Sequence, residues 1–257
     1  MNGFLAEPRL KNKTVGSPEY FLVQGKLIKE RPLLKYNYDC WYAELITDYN
    51  STPRTGSTQA LELGSGGSYL KDLIPSVITS DVAEGTADRV IDAQNLPFPD
   101  ASLHCIFLTH CFHHIPNVAL FLKEAERTLI PGGIISMIEV ARTPMCHLLM
   151  KLFHREPFLP ERAEWSFEQK DSMLDSNQAL AWIVFVRDRN KFESCFPNLK
   201  LEVIGSLPWI SYIFSGGVSW RKFLPDFLSR LIILAEKPLA PLRPFCGLSW
   251  HIRIRKT

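Results

Sequence analysis

The sequence has no excess of charge of one sign and no long apolar run. Among its 257 residues, 29 Lys and Arg stand against 27 Asp and Glu, which gives a formal net charge of +2. Nucleic acids bind strongly basic surfaces, so a balanced charge leads us to expect no nucleic-acid partner. No uninterrupted apolar run in the chain approaches the roughly 18 residues that a membrane span needs.

Paired cysteines and a secretory signal are also lacking. The six cysteines are scattered along the chain and form no C-x-x-C pair. Such a distribution is typical of reduced thiols rather than of a disulfide framework. The segment MNGFLAEPRLKNKT lacks the basic start, apolar stretch and small-residue cleavage site of a secretory signal. We therefore expect a cytoplasmic protein.

Between residues 59 and 140 the hydropathy pattern is that of βα units. Short apolar runs closed by Gly, Asp or Pro predict five strands, in QALELG, SVITSD, DRVID, SLHCIFLTH and GGIISMIEV. Before the last of them, apolar residues recur at helical spacing from Val118 to Leu129, and Pro131-Gly132-Gly133 is expected to stop that helix. This alternation predicts an α/β fold with a doubly wound, mostly parallel sheet.

The rest of the chain is divided less clearly. We interpret residues 1–58 as a helical cap and linker, and residues 59–257 as the main domain with insertions at about 141–180 and 206–246. Alternation returns in AWIVFVRD, LKLEVIG and SWHIRIRK, which predicts further strands. The last reads as an antiparallel strand at the edge of the sheet, although a place inside the sheet stays open.

A glycine cluster follows the first predicted strand. Residues 61–67 read LELGSGG, and Asp81 ends the next strand. Glycines let a ligand approach main-chain N–H groups that no Cβ shields, and a carboxylate after the second strand can accept both hydroxyls of a ribose. The two features together predict a nucleoside site. Tyr69 stands where a dinucleotide fingerprint has its third glycine, which argues against a nicotinamide-dependent dehydrogenase.

Five motifs in order carry a family resemblance. The chain reads ELGSGG, TSDV, IDAQNLPFPDASL, HCFHHIP and RTLIPGG. In this it resembles the class I S-adenosylmethionine-dependent methyltransferases of the ubiquinone/menaquinone-biosynthesis-like type. The resemblance implies a Rossmann-like class I methyltransferase architecture and S-adenosyl-L-methionine as cofactor. One departure is that only VAEGTADRVI separates Asp81 from Asp92, too few residues for the usual helix.

The resemblance also implies which residues of this chain meet the cofactor. Asp81 would hold the ribose hydroxyls, and Asp92 with Ala93 would meet the adenine edge. Thr109 and His110 would face the sulfonium and the amino acid moiety. The remaining implied contacts, to the methionine part and the ribose, are Glu62, Gly64, Ser65, Gly66 and the adjoining Gly67.

Three residues are candidate general bases: His113, His114 and Glu139. Imidazole titrates near neutral pH, and a base is needed mainly when the methyl acceptor is a hydroxyl. The spacing of His110, His113 and His114 could also suggest zinc, but no nearby carboxylate or thiol pattern completes a metal site, so we expect no metal.

The methyl acceptor does not follow from these motifs. We expect a small-molecule, glycan or lipid-linked acceptor, recognised by the segments outside the motifs. Residues of about 220–246 have apolar residues on one helical face and basic flanks, so they could cap the sheet, lie on a membrane surface or meet a partner. The alternative function is a catalytically silent methyltransferase-like domain that acts as a protein-interaction or regulatory module. The presence of the glycine turn, Asp81 and Asp92 together argues against it.

Overall fold

The computed structural model describes residues 6–53, 59–153, 156–169 and 175–257. Within these ranges the chain forms one seven-stranded sheet with helices on both faces. The strands are β1 (Ala60–Leu63), β2 (Val77–Asp81), β3 (Arg89–Val90), β4 (Leu103–Thr109), β5 (Leu129–Val140), β6 (Leu199–Ser206) and β7 (Ser249–Lys256). Their order is β3-β2-β1-β4-β5-β7-β6, and β7 alone runs antiparallel to its neighbours. The predicted fold class is confirmed.

The helices differ widely in length. They are α1 (Pro18–Glu30), α2 (Pro32–Ser51), α3 (Leu70–Leu73), α4 (Val118–Thr128), α5 (Pro144–Phe153), α6 (Leu180–Trp182), α7 (Arg189–Cys195), α8 (Ile210–Ser215), α9 (Ser229–Glu236) and α10 (Arg243–Cys246). Short 3-10 turns occur at Pro8–Leu10, Phe112–His114, Asp226–Leu228 and Lys237–Leu242, and a π-helical turn at Ile183–Arg187. Side-chain caps fix the N-termini of α1 and α4. The Ser17 hydroxyl oxygen accepts the N–H of Tyr20, and the Asn117 amide oxygen accepts the N–H of Ala119.

Alternating strand residues build a separate apolar layer on each face of the sheet. On one face Leu61 and Ile106 pack with the buried side of α4. On the other face Trp41 of α2 packs with Cys105 and Phe107 of β4. The inner parallel strands β1 and β4 are therefore covered on both faces, as their near-continuous apolar runs predict, whereas the edge strand β3 is exposed.

Three details differ from the sequence predictions. The predicted strand at residues 181–188 (AWIVFVRD) is instead a helical turn buried in the core. A continuous apolar run is compatible with a buried helix as well as with a buried strand. SWHIRIRK lies inside the sheet between β5 and β6, so the edge is β6 and not β7. The helix before β5 ends at Thr128, and the Pro-Gly-Gly triplet belongs to the strand.

The short connection between β2 and β3 contains no helix, as its length predicts. An N-terminal helix takes the missing helix's place, because Pro18 and Phe21 of α1 approach Gly85 in this connection. The predicted linker at the end of residues 1–58 falls mostly on residues 54–58, outside the described residues. The division into a cap and a main domain stays a prediction.

Candidate active site

The glycine loop turns sharply between β1 and α3. Gly64 and Gly66 both have positive φ, at 63° and 44°. The N–H of Ser65 donates to the carbonyl of Ser80 at the end of β2 (2.9 Å). A Cβ on Gly64 would overlap the Sγ of Cys111, so only glycine fits there. The loop is therefore held tightly against the carboxyl ends of β2 and β4.

Asp81 joins the loop to the end of β2. One carboxylate oxygen accepts the N–H of Gly66 (3.1 Å) and the other accepts the N–H of Val82 (2.8 Å). Burial raises the pKa of Asp81, and the backbone donors oppose that rise. Since the N–H of Ile91 donates to the carbonyl of Asp81, the next residue, Asp92, lies at the same edge of the sheet. Asp92 is exposed and accepts the N–H of Gln94, whereas its neighbour Ala93 is buried.

Two buried oxygens at this edge fit a polar ligand. Glu62 is fully buried, and its Oε1 accepts the hydroxyl of Ser68 (2.7 Å). Among the described residues, neither its Oε2 nor the Oγ1 of Thr109 has a hydrogen-bond partner. Burial raises the pKa of Glu62 to about 8, against the hydrogen bond from Ser68. Buried oxygens are costly to leave unpaired, so these two fit the amino acid part of S-adenosylmethionine.

Helix α1 lies across the outside of the glycine loop. A Cβ on Gly66 would lie 3.1 Å from the ring of Phe21, and a Cβ on Gly67 would lie 2.8 Å from the backbone N of Gly25. The sequence gives no sign of this contact, because α1 is about forty residues away along the chain and carries no family motif. The wall over the loop is therefore built by the N-terminal segment.

His110 stands at the end of β4 with a positive φ of 52°. Its backbone N–H donates to the carbonyl of Ile138, and its ring lies 5.0 Å from that of Trp41. The Nε2 of His110 is 3.3 Å from the Oγ of Ser249 on β7. Trp41 of α2 therefore lies next to the carboxyl end of β4, where the family resemblance predicts that the sulfonium of the cofactor binds.

His113 and Glu139 form a buried pair. The Nδ1 of His113 is 2.6 Å from one oxygen of Glu139, whose other oxygen accepts the N–H of Phe112 (2.7 Å). Burial alone would lower the pKa of His113, but the charge and hydrogen bond of Glu139 outweigh burial, so the pKa of His113 is raised. Burial alone would raise the pKa of Glu139, but the charge and hydrogen bond of His113 outweigh burial, so the pKa of Glu139 is lowered. Both oxygens of Glu139 are thus engaged, and the Nε2 of His113 points away from this pair.

The fold also brings two residues that sequence reasoning missed to the histidines. Glu156 places an oxygen 3.6 Å from the Nε2 of His113 and 3.6 Å from the Nε2 of His114. Gln178 is buried, with its amide nitrogen 3.2 Å from the Nε2 of His113. Burial lowers the pKa of His114 to about 4, helped by the charge of His113. No local sequence pattern identifies Glu156 or Gln178 as part of the site, because both lie in the insertion at 141–180, which carries no family motif.

The segment at about 220–246 turns its apolar side to solvent. Phe227, Leu231 and Phe245 are 81%, 64% and 63% exposed. The polar side of α9 faces inward, where Glu236 is buried and accepts the N–H groups at the start of α8, including that of Ile210 (2.8 Å). Of the helices in the described ranges, none has the length and apolarity that a membrane crossing needs.

Comparison with known proteins agrees with this geometry. Residues 61–137 match the model of a family described as a methyltransferase domain. A ubiquinone/menaquinone biosynthesis C-methyltransferase UbiE of Caulobacter sp. (strain K31) is 28% identical over 106 residues, 40% of this chain and 42% of that protein. The 27-O-demethylrifamycin SV methyltransferase of Amycolatopsis mediterranei is 31% identical over 65 residues, 25% of this chain and 24% of that protein. The chain thus spans less than half the length of these relatives.

Similar solved structures extend the likeness of the fold to nearly the whole chain. A SAM-dependent methyltransferase from Thermotoga maritima superposes with a TM-score of 0.51 at 14% identity, over 93% of this chain and 100% of that one. The methyltransferase in complex with the Trm112 activator of Haloferax volcanii gives the same TM-score and identity over 92% of this chain and 94% of that one. The five motifs and the family match agree that residues 61–137 carry a methyltransferase domain. The strand order and the similar structures show that the fold is that of class I S-adenosylmethionine-dependent methyltransferases, and in sequence the chain is similar to the ubiquinone/menaquinone-biosynthesis-like type.

Proposed function

We propose that the protein binds S-adenosylmethionine at the carboxyl ends of β1, β2 and β4 and methylates a small-molecule acceptor. The observation that carries this proposal is the meeting of the glycine loop, Glu62 and Asp81 at one sheet edge. Ligands of open α/β sheets bind at this edge. The cofactor supplies an electrophilic methyl group on a sulfonium, so positioning accounts for much of the rate enhancement.

Each residue at the edge has a role that its chemistry supports. Asp81, held by two backbone N–H groups, accepts from the ribose. Glu62 and Thr109 offer buried oxygens to the amino acid part. Asp92 accepts from the exocyclic amine of adenine while the main chain of Ala93 faces a ring nitrogen.

On the acceptor side, we assign His113 as the group that faces the acceptor and Glu139 as a positioning residue. Glu139 has both oxygens engaged and is fully buried, so it orients the imidazole without touching the acceptor. The Nε2 of His113 points toward the insertion at 141–180, where Glu156 and Gln178 lie. This insertion, the histidine turn and α2 then form the walls of the acceptor pocket.

The acceptor class that we favour is apolar or lipid-linked, reached by peripheral contact with a membrane. Exposed Phe227, Leu231 and Phe245 support this, since monomeric proteins rarely expose such a patch without use. Arg230 and Lys237 are exposed in the same segment and suit anionic headgroups. A glycan remains within the acceptor classes that the site supports.

Calorimetric titration with S-adenosylmethionine and S-adenosylhomocysteine tests the cofactor site. We expect binding by the wild-type protein, at least about 100-fold weaker binding by Asp81→Ala, and unchanged binding by Glu84→Ala, an exposed carboxylate after the same strand. NAD serves as a control ligand that should not bind. Absence of binding by the folded wild type would overturn the enzyme proposal and favour the silent interaction module.

Sedimentation with vesicles tests the membrane contact. The wild type should bind vesicles that contain phosphatidylglycerol, and Phe227→Ser with Leu231→Ser should abolish that binding. Leu73→Ser, which changes an exposed leucine on α3, should have no effect. Equal binding by the double variant would exclude this segment as the contact.

A further inference from the structure

We propose that His113, His114 and Glu156 bind a divalent transition-metal ion such as Zn²⁺. The proposal goes beyond methyl transfer. An ion bound here takes the lone pair of the Nε2 of His113, so the metal-bound protein would present the ion, and not a free imidazole, to the acceptor. Two imidazole nitrogens and one carboxylate oxygen are the donor set that proteins use for Zn²⁺ and related ions. One ligand atom from each of the three residues lies within 4.8 Å of the others.

The distances fit coordination around one point. Metal–nitrogen bonds of about 2.0–2.1 Å place neighbouring ligands of a tetrahedral ion about 3.3–3.4 Å apart. The carboxylate oxygen of Glu156 is 3.6 Å from each of the two Nε2 atoms. These two distances exceed the tetrahedral spacing by only a few tenths of an ångström, while the three ligand atoms together lie within 4.8 Å of one another, so side-chain movement must draw the histidine nitrogens onto an ion.

Glu139 supplies the outer support that such a site needs. Its carboxylate lies 2.6 Å from the Nδ1 of His113, so the Nδ1 carries the proton and the Nε2 is left to bind the ion. A carboxylate behind a ligating histidine is the usual arrangement in metal sites, where it fixes the ring and its tautomer. Glu139 is itself held by the N–H of Phe112, which makes the whole array rigid.

Gln178 is the second observation that points to an ion. Its side chain is buried, and its Oε1 has no partner within the described part of the chain. Its Nε2 donates to the carboxylate of Glu156 and lies 3.2 Å from the Nε2 of His113. The two ends of a side-chain amide are nearly the same size. With an ion between these groups, the hydrogen bond from the amide to Glu156 is no longer needed, and exchanging the two ends turns the unpaired oxygen toward the ion as a fourth ligand or as the acceptor of an ion-bound water.

The insertion holds these ligands against the histidine turn. The N–H of Asn177 donates to the carbonyl of His113 (3.0 Å), and the amide of Gln169 donates to the carbonyl of His114 (2.8 Å). The side chains of His114 and Glu156 are 20% and 21% exposed, so an ion can enter from their side. An ion here lies at the histidine turn that follows the carboxyl end of β4.

The test is titration of the chelator-treated full chain with Co²⁺, followed by visible absorption, and then displacement of Co²⁺ by Zn²⁺. We expect one equivalent to bind with the absorption of a four- or five-coordinate ion. His114→Ala and Glu156→Gln should each weaken binding at least about 100-fold, and Glu139→Gln by about 10–100-fold. His147→Ala changes an exposed histidine outside the cluster and should bind as the wild type does.

Binding of Co²⁺ that is no tighter in the wild type than in His114→Ala and Glu156→Gln would overturn the proposal. Circular dichroism shows whether each variant is folded, and both of these residues are partly exposed, so their substitution should be tolerated. Titration of the same samples with S-adenosylhomocysteine reports the cofactor site separately. Loss of metal binding alone is thereby distinguished from failure of the proposed methyl transfer.

Discussion

Protonation of Glu62 should couple cofactor binding to pH. Burial raises the pKa of this carboxyl to about 8, so at pH 7 about nine-tenths of the molecules carry it protonated. S-adenosylmethionine is cationic at both its sulfonium and its amino group, and it favours the ionised form of a neighbouring carboxylate. Binding at pH 7 should therefore release about 0.9 proton from Glu62.

Two measurements follow from this linkage. Calorimetry at pH 7 in two buffers of different ionisation enthalpy should report the released proton. Between about pH 5.5 and 7, the affinity should fall about tenfold for each unit by which the pH is lowered, because the bound state must expel the proton.

Glu62→Gln is the decisive control, since it keeps the shape of the side chain and cannot ionise. It should bind the cofactor with less pH dependence and without release of this proton, whereas Glu84→Gln should behave as the wild type does. The cofactor-free protein should also lose stability as the pH rises from about 4.5 to 8, because a raised carboxyl pKa means that the folded state binds the extra proton. Proton release that is the same in Glu62→Gln would refute the reasoning.

Three further substitutions should act on stability. Gly67→Ala places a Cβ 2.8 Å from the backbone N of Gly25; it should cost about 1–3 kcal/mol by overpacking, measured by thermal unfolding. Asp48→Ala removes a buried carboxylate that lies 2.8 Å from the Nε2 of His251; urea unfolding should show a loss of about 3 kcal/mol, and a loss below 1 would contradict the buried-pair interpretation. Glu236→Ala frees the N–H groups at the start of α8; it should cost about 1–2 kcal/mol, with Glu193→Ala on the surface as control.

The parallel half of the fold could be predicted from the sequence because its local patterns and its tertiary structure agree. Strands β1 and β4 and most of β2 and β5 are buried and read as apolar runs, and α4 shows one apolar face. Residues 181–188 failed the prediction because a buried run lacks the polar positions that distinguish a helix from a strand. The position of β7 inside the sheet depends on its pairing with β6, which is distant in sequence, so the local pattern of β7 does not predict it.

The candidate site likewise contains residues that local motifs predict and residues that only the tertiary structure brings together. The residues that we expect to bind the cofactor lie in consecutive βα turns, so their order in the chain predicts their meeting at the sheet edge. Glu156 and Gln178 carry no such signal, since only the path of the insertion brings them to His113. The same holds for Phe21, which reaches the glycine loop through the packing of α1.

His113 contacts both the residues that the motifs predict and the residues of the insertion. Its turn follows β4 directly, and its Nδ1 side is fixed by Glu139 at the end of β5, both within the segment that the family model matches or immediately beyond it. Its Nε2 side meets Glu156 and Gln178 of the insertion. A change of acceptor during the divergence of similar chains can therefore alter the insertion and leave the sheet edge intact. We therefore expect the groups around the Nε2 of His113, rather than the motifs, to select the acceptor of the proposed methyl transfer.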